Sequence, residues 1–342
     1  MAQAHMTDTE HGSSGAEHSG SGVRRLFGGR WRGDRGIWRR GIVLAAVAAL
    51  IALTMVVHAQ IPNRVGNLGS LIETFLPWLG VGIPVLLVLA LLRRSATALI
   101  VLLLPTVVWL NLFGGLVTGK AGSGGSDLMV ATHNVNAQNR DPVGTAKEVA
   151  AQGADVLALE ELAPGQVSTY TKALASTYPY HSVQGTVGLW SKYPLSGTQP
   201  VDIRLGWVRA MRSTVTTPHG KIAVYVAHLP SVRVKLNAGF TASQRDESAD
   251  ALGEAIAHEP LPDVVLLGDL NGTMNDRSLN AVTAQMRSTQ GAAGDGFGFS
   301  WPAAFPMARI DQIMVKGAEP VSSWTLPRTS SDHLPIAARL KL

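Results

Sequence analysis

Three apolar runs flanked by arginines constrain this chain more than any other feature of it. Gly41–Val57, Phe75–Leu92 and Ala96 to about Val117 each approach the roughly 17–25 residues that cross about 30 Å of hydrocarbon. Buried helices of a soluble protein do not come as three such runs in series. A signal-peptide apolar region is shorter and follows a shorter basic segment. Gly80, Gly82 and Pro84 inside the second run are residues that membrane helices tolerate. Charge orients the runs. Arg24, Arg25, Arg30, Arg32, Arg35, Arg39 and Arg40 precede the first, and Arg93 and Arg94 separate the second from the third. The 61–74 loop holds one Arg and one Glu. The positive-inside rule then places the N-terminus and the 93–94 turn in the cytoplasm, and three crossings put residue 120 onward outside. The expected organisation is a disordered, basic cytoplasmic tail (1–40), three transmembrane helices (41–118), a Gly/Ser linker (119–127) and an extracytoplasmic domain (128–342). The lipid bilayer is the expected partner, and no obligate protein partner is evident.

Charge is segregated too. Residues 120–342 carry 19 basic and 19 acidic residues. A neutral domain lacks the electrostatic footprint of a nucleic-acid binder, so no nucleic-acid partner is expected. The chain has no cysteine, which excludes disulfides, thiolate metal sites and cysteine nucleophiles.

In the C-terminal part short apolar strands alternate with a few helices. Strands are expected at Leu128–Thr132, Asp155–Leu159, Tyr180–Trp190, Val201–Arg204, Ala210–Thr217, Lys221–Ala227, Val264–Leu267, Gln312–Val315 and Ile336–Leu340. Helices are expected from Asp141-Pro142 through Ala151, at Val167–Ser176 and at Ser243–His258. This mixture suggests two packed sheets with helices outside. Residues 288–308, rich in Gly and aromatics, read as a surface loop near a site.

The polar residues sit where strands end. His133-Asn134, Glu160-Glu161, His228, the run Gly268-Asp269-Leu270-Asn271, Asp311 and Asp332-His333 each adjoin an apolar strand. Strand ends on one rim of a layered fold can converge on a point. Carboxylates, amides and histidines without thiolates suit a hard divalent cation such as Mg²⁺ or Mn²⁺. Such a cation takes a phosphate oxygen and stabilises charge building on it, and a His held by an Asp can act as acid or base. The chemistry implied is metal-assisted hydrolysis of a phosphoester or phosphoanhydride.

Taken in order, T-H-N-V, D-V-L-A-L-E-E-L, A-H-L-P, G-D-L-N-G-T, R-I-D-Q-I and S-D-H-L-P-I resemble the motifs of the endonuclease/exonuclease/phosphatase superfamily. That superfamily includes DNase I-like nucleases, sphingomyelinases and inositol-phosphate phosphatases. The resemblance covers about 128–342. It implies an α/β (α+β) domain built as a four-layer α/β/β/α sandwich, DNase I-like, here preceded by three transmembrane helices. By the same resemblance Glu161 is the principal metal-binding Glu, with Glu160 where the family often has Gln. Asn134 supports metal and phosphate, and Asp332 is the metal-contacting or supporting Asp. Asp269 and Asn271 position the attacking water and the phosphoryl group. His333 is the catalytic His, oriented by Asp311, and His228 is the second His of the DNase I and sphingomyelinase branches. Arg245 and Trp301 are candidate substrate contacts. Asn136 stands where some family nucleases carry an additional metal-binding Asp, which leaves one ion or two open.

The superfamily does not name the substrate. A sphingomyelinase-like phospholipase C, an extracellular nuclease and an inactive module binding a cell-wall precursor or antibiotic stand as alternatives. The membrane anchor favours a lipid-linked phosphate substrate at the outer membrane surface. The layout is similar to that of actinobacterial VanJ-type membrane proteins, a group associated with glycopeptide and particularly teicoplanin resistance. That similarity implies dephosphorylation of undecaprenyl pyrophosphate or a related carrier.

Overall fold

The computed structural model describes residues 39–63, 66–122, 124–231 and 239–342. Residues 1–38, most of the expected basic tail, lie outside the described residues. Among the described residues three helices are long and apolar enough to cross a membrane: Ile42–Gln60, Leu68–Leu92 and Ala96–Val117, here spans 1 to 3. Their outer faces leave residues such as Val43, Leu50, Leu92 and Val107 exposed. Span 2 begins at Leu68 rather than Phe75. Ser70, Glu73 and Thr74 lie in its first turns, so hydropathy alone stops short of them. Arg39, Arg40 and Arg93 share a hollow at one end of the helices. The C-terminal domain meets the other end, where Arg277 donates to the carbonyls of Ala59 and Ile61 at 2.6 Å.

Twelve strands among the described residues form two six-stranded sheets. The first runs β11 (Glu319–Thr325), β12 (Ile336–Lys341), β1 (Leu128–Asn134), β2 (Val156–Glu160), β4 (Val187–Ser191), β3 (Tyr180–Gln184). The second runs β5 (Leu195–Pro200), β6 (Ala210–Thr217), β7 (Gly220–His228), β8 (Val264–Asp269), β10 (Asp311–Lys316), β9 (Arg287–Ser288). Alternation along each strand builds the layers. On β7, Ile222, Val224 and Val226 face the core between the sheets, where they meet Val130, Leu189 and Leu267. Ala223, Tyr225 and Ala227 face outward, towards the layer of α3 (Gly239–Ala257), which supplies Leu252 and Ile256. On the opposite side α1 (Pro142–Ala150) and α2 (Val167–Leu174) cover Leu157, Leu159 and Trp190 with Val149, Tyr170 and Leu174. This is the expected four-layer α/β/β/α sandwich. Asp141 caps α1 by accepting from the Gly144 amide, and Pro142 takes the first helical position.

Four local expectations change. Tyr180–Trp190 is a hairpin, β3–β4, turning near Gly185 with φ 61°. Val201–Arg204 is not a strand: the Asp202 carboxylate accepts from the Arg204 amide and Arg204 takes φ 61°, which bends the chain after β5. β5, the two-residue β9 and β11 were not expected. β11 is an edge strand with Pro320 and two serines, and its pairing to β12 shifts register between Pro320 and Ser322. Within 288–308 a short helix, Thr289–Ala293, is capped by Ser288. Phe297 and Phe299 of that segment stack on each other, and Phe297 also packs on Trp109 and Phe113 of span 3.

Candidate active site

Strand register brings the polar residues together. His228 on β7 pairs with Asp269 on β8, which pairs with Asp311 on β10. On the facing sheet Asn134 of β1 pairs with Glu160 of β2. Glu160 points into the protein, fully buried, where its carboxyl accepts from Thr132 Oγ1 at 2.7 Å. Burial holds that carboxyl well above the usual range, because the charged form is the one that loses its water. The next residue takes φ 58°, an unusual conformation for a side chain with a Cβ. It turns Glu161, one-third exposed, into the cleft.

Asn134 bridges the sheets. Its amide donates to Asp269 Oδ2 at 2.9 Å and to Glu161 Oε1 at 3.2 Å. The other Glu161 oxygen accepts from the Ala137 amide at 3.1 Å. Asn271, at φ 46°, donates its backbone amide to Asp269 Oδ1 and its side chain to the Leu229 carbonyl, both at 2.9 Å. His333 Nδ1 lies 2.9 Å from Asp311 Oδ2, and Ser300 Oγ donates to that same oxygen at 2.5 Å. This fixes the ring so that Nε2 faces Asp269 Oδ2 at 3.9 Å. His228 Nε2 sits 3.6 Å from Glu161 and 3.8 Å from Asp269. Asp332 accepts from Asn136 Nδ2 at 2.8 Å on the rim.

The charges follow from these contacts. Burial works against protonating His333, but the charge of Asp311 and its hydrogen bond outweigh it and push the imidazole up to about 10. Burial, then the nearby Asp311 charge, raises Asp269 to about 7. Burial, then Arg209, holds His228 well below the histidine range. Neutral His228 therefore faces the Arg209 guanidinium, 2.5 Å away. His133 is a core residue, lowered to about 3 by burial and paired with Thr329 Oγ1 at 2.9 Å.

The donor set fits a hard divalent ion. Oxygens of Glu161 and Asp269 converge on one neutral amide, with Asp311 and Asp332 nearby and, among the described residues, His333 and Arg209 as the facing cations. Ligand atoms of Asp269, Asp311 and His333 lie within 4.8 Å of one another. The Nδ1 of His333 is taken by Asp311, so Glu161, Asn134 and Asp269 offer the better-aimed donors. Oxygen donors without thiolates are the preference of Mg²⁺ or Mn²⁺.

Nine of the ten residues singled out from the sequence gather around this cleft, including Asp332 and half-buried Trp301 on its wall. Arg245 stands behind it. Fully buried, it donates to the Asn271 carbonyl at 3.0 Å and to Ser70 Oγ at 3.1 Å, and pairs with Asp276 at 2.6 Å. Its place is under the Asn271 turn. Sequence reasoning missed Arg209 and Ser300. Arg209 directly precedes β6, on the rim where other strands end, but it sits at a strand start and in no motif. The missed wall is larger: Asn67, Ser70, Leu71, Thr74 and Phe75, at the head of span 2, line the same cleft of about 490 Å³ as Glu161, Asp269 and His333.

The comparisons agree with this geometry. The endonuclease/exonuclease/phosphatase family model matches residues 131–333. Similar solved structures include D. rerio TDP2 complexed with a single-strand DNA product (19% identity, 63% of this chain and 99% of that one, TM-score 0.54). A mannosyl-6-phosphatase from Bacteroides thetaiotaomicron VPI-5482 is also similar (17%, 63% and 100%, 0.51). So is an endonuclease/exonuclease/phosphatase protein from Beutenbergia cavernae DSM 12333 (19%, 64% and 72%, 0.51). At these identities the likeness shows the fold alone. No curated protein matched the chain. With the family motifs spread over more than half its length and the two-sheet fold that carries them, the chain belongs to the endonuclease/exonuclease/phosphatase family.

Proposed function

We propose that the protein is a membrane-anchored, metal-dependent phosphoesterase that acts outside the cytoplasmic membrane on a lipid-linked pyrophosphate such as undecaprenyl pyrophosphate. The observation that carries this reading is the cleft wall. Ser70, Leu71 and Phe75 of span 2 share the hollow with Asp269 and His333, so a phosphate at His333 lies beside a helix that runs into the bilayer. A substrate with a phosphate head and a long apolar tail uses both surfaces. Arg39, Arg40 and Arg93 lie at the opposite end of the spans, which by the positive-inside rule favours an external catalytic domain. Release of the carrier from its diphosphate form would connect the enzyme to cell-wall carrier recycling and teicoplanin resistance.

Glu161 and Asn134, with Asp332 on the rim, would hold the Mg²⁺ or Mn²⁺. When bound, the ion neutralises phosphate charge and polarises the phosphorus–oxygen bond. Asp269, held by the Asn271 amide and by Asn134 and with its carboxyl raised to about 7, accepts a proton from the attacking water in its ionised form. Protonated His333, held by Asp311, donates from Nε2 to a phosphoryl or leaving oxygen. Arg209 and the ring of His228 present positive charge and a polar edge to the third side of the transition state.

The test is hydrolysis by detergent-purified full-length protein with Mg²⁺, read as inorganic phosphate from undecaprenyl pyrophosphate, phosphocholine from sphingomyelin and strand breaks in plasmid DNA, with Asp269→Ala as control. Phosphate from the polyprenyl substrate, reduced about 10²-fold or more in the variant, supports the proposal. Turnover of sphingomyelin or DNA alone moves the protein to another branch of the family. Silence on all three favours a binding module.

A further inference from the structure

We propose that a second hollow, separate from the catalytic cleft, binds a phosphate-bearing amphiphile, with Arg309 as its anion anchor. The cavity, of about 380 Å³, lies between span 3 and the domain, within the size range of small-molecule sites. It meets the catalytic cleft only at Thr74, which lines both.

Arg309 makes the case. It is 8% exposed and its Nη1 has no hydrogen-bond partner. Among the described residues no carboxylate lies within ion-pair distance of it. Burial alone acts on the guanidinium, lowering it to about 10, so it stays charged at neutral pH. An isolated buried charge is costly unless an opposite charge meets it. The other buried arginine among the described residues, Arg245, has its carboxylate in Asp276, at 2.6 Å. Arg309 lacks one among the described residues, so a ligand is left to supply the anion. Lys120 lines the same cavity, and its ammonium donates to the Gly291 carbonyl at 2.9 Å, not to an acid.

The remaining walls decide what carries that anion. Leu112 and Leu116 of span 3 line one side, and Phe297 and Phe299 the other. Asn275 adds a neutral polar group. A free inorganic anion has no use for these apolar surfaces. A lipid with a singly charged phosphodiester head matches them, because its phosphate reaches Arg309 while its chains follow span 3 towards the bilayer. The site sits where spans 2 and 3 meet the domain, the level of lipid headgroups if these helices cross a membrane. The proposal does not depend on the hydrolytic reading, since it concerns binding without turnover.

The test is native mass spectrometry of the full chain in a zwitterionic detergent, with dioleoyl phosphatidylglycerol, dioleoyl phosphatidylcholine or inorganic phosphate added. One phosphatidylglycerol should be retained in preference to phosphatidylcholine. Arg309→Gln should weaken retention at least about tenfold, and Asp269→Ala should leave it unchanged. Leu116→Trp, which fills the cavity from the helix side, should also abolish it and decides the matter if Arg309→Gln fails to fold. Equal retention of phosphatidylglycerol in Leu116→Trp, or equal retention of both lipids, overturns the proposal. So does displacement of phosphatidylglycerol by equimolar inorganic phosphate, which would make this a free-phosphate site.

Discussion

His333 and Asp269 face each other at 3.9 Å and have opposite consequences for pH. The imidazole, raised to about 10 from an ordinary 6.5, stays protonated in the fold after the unfolded chain has lost the proton. Its contribution to stability is full below pH 6.5 and fades as pH rises through about 10. Asp311→Asn removes the charge that outweighs burial. The His333 titration, followed by NMR, should then fall by about 1–3 pH units. A titration left near 10 would show that Asp311 is not what holds the proton. Asp269 runs the other way. Its carboxyl, at about 7 in the fold against 3.8, keeps a proton that the unfolded chain releases, so stability declines as pH rises between about 4 and 7. In divalent-free buffer at pH 8, Asp269→Asn should be more stable than the parent by on the order of 2–4 kcal/mol. The gap should close near pH 4. Added Mg²⁺ should raise the Tm of the parent more than that of the variant, because an ion held by Glu161 and Asn134 also offsets the charge of ionised Asp269, which the variant lacks. A variant no more stable than the parent at pH 8 would mean that burial does not strain Asp269.

At the scale of elements the site is a consequence of register. The ends of β7 and β8 and the start of antiparallel β10 are level, so His228, Asp269 and Asp311 stand side by side. Gly268 permits that closeness. At φ 144°, a Cβ there would lie 1.9 Å from the Ala227 carbonyl oxygen, inside any real contact. Gly268→Ala should therefore lower stability by about 1–3 kcal/mol and reduce hydrolysis by moving Asp269, whereas Gly124→Ala, with open space around it, should change neither. Equal Tm and rate for Gly268→Ala and the parent would sink this account. These strands were legible in the sequence because each is an apolar run ending in an acid, amide or histidine, and the ordered motifs named the family. What was not legible depends on partners far away in the chain. β11 is half polar and exists because β12 pairs with it. Val201–Arg204 has strand composition but is bent by Asp202. Ser300 matters only because the fold carries its hydroxyl to Asp311. The head of span 2 carries polar residues that hydropathy rejects, and only tertiary structure places Ser70 against Arg245 and so behind the Asn271 turn.

For the whole molecule, the relation of the spans to the domain is the main fact. Trp78 of span 2 donates to the Met307 carbonyl at 2.8 Å and stacks on Phe299, Arg277 holds the carbonyls at the end of span 1, and the Thr273 hydroxyl donates to the Glu73 carbonyl. Fastened this way, the domain keeps its cleft at one height and one orientation against the helices. An enzyme of a lipid substrate gains from that, since the phosphate arrives at a fixed depth and much of the positional entropy of the encounter is removed in advance. The arrangement serves an extracellular lipid pyrophosphate only if the domain is outside, and the absence of cysteine makes this testable on an otherwise unlabelled chain. Gly124→Cys, in the exposed stretch before β1, should react with a membrane-impermeant maleimide in intact cells. Arg93→Cys, exposed at the opposite end of span 2, should react only after the membrane is opened. The arginine distribution predicts this pattern, because clusters of positive charge are retained on the cytoplasmic side. The reverse pattern would put Asp269 and His333 in the cytoplasm and remove an external pyrophosphate carrier from the enzyme's reach, while leaving the cleft wall of span 2 as evidence for a lipid substrate on the inner face.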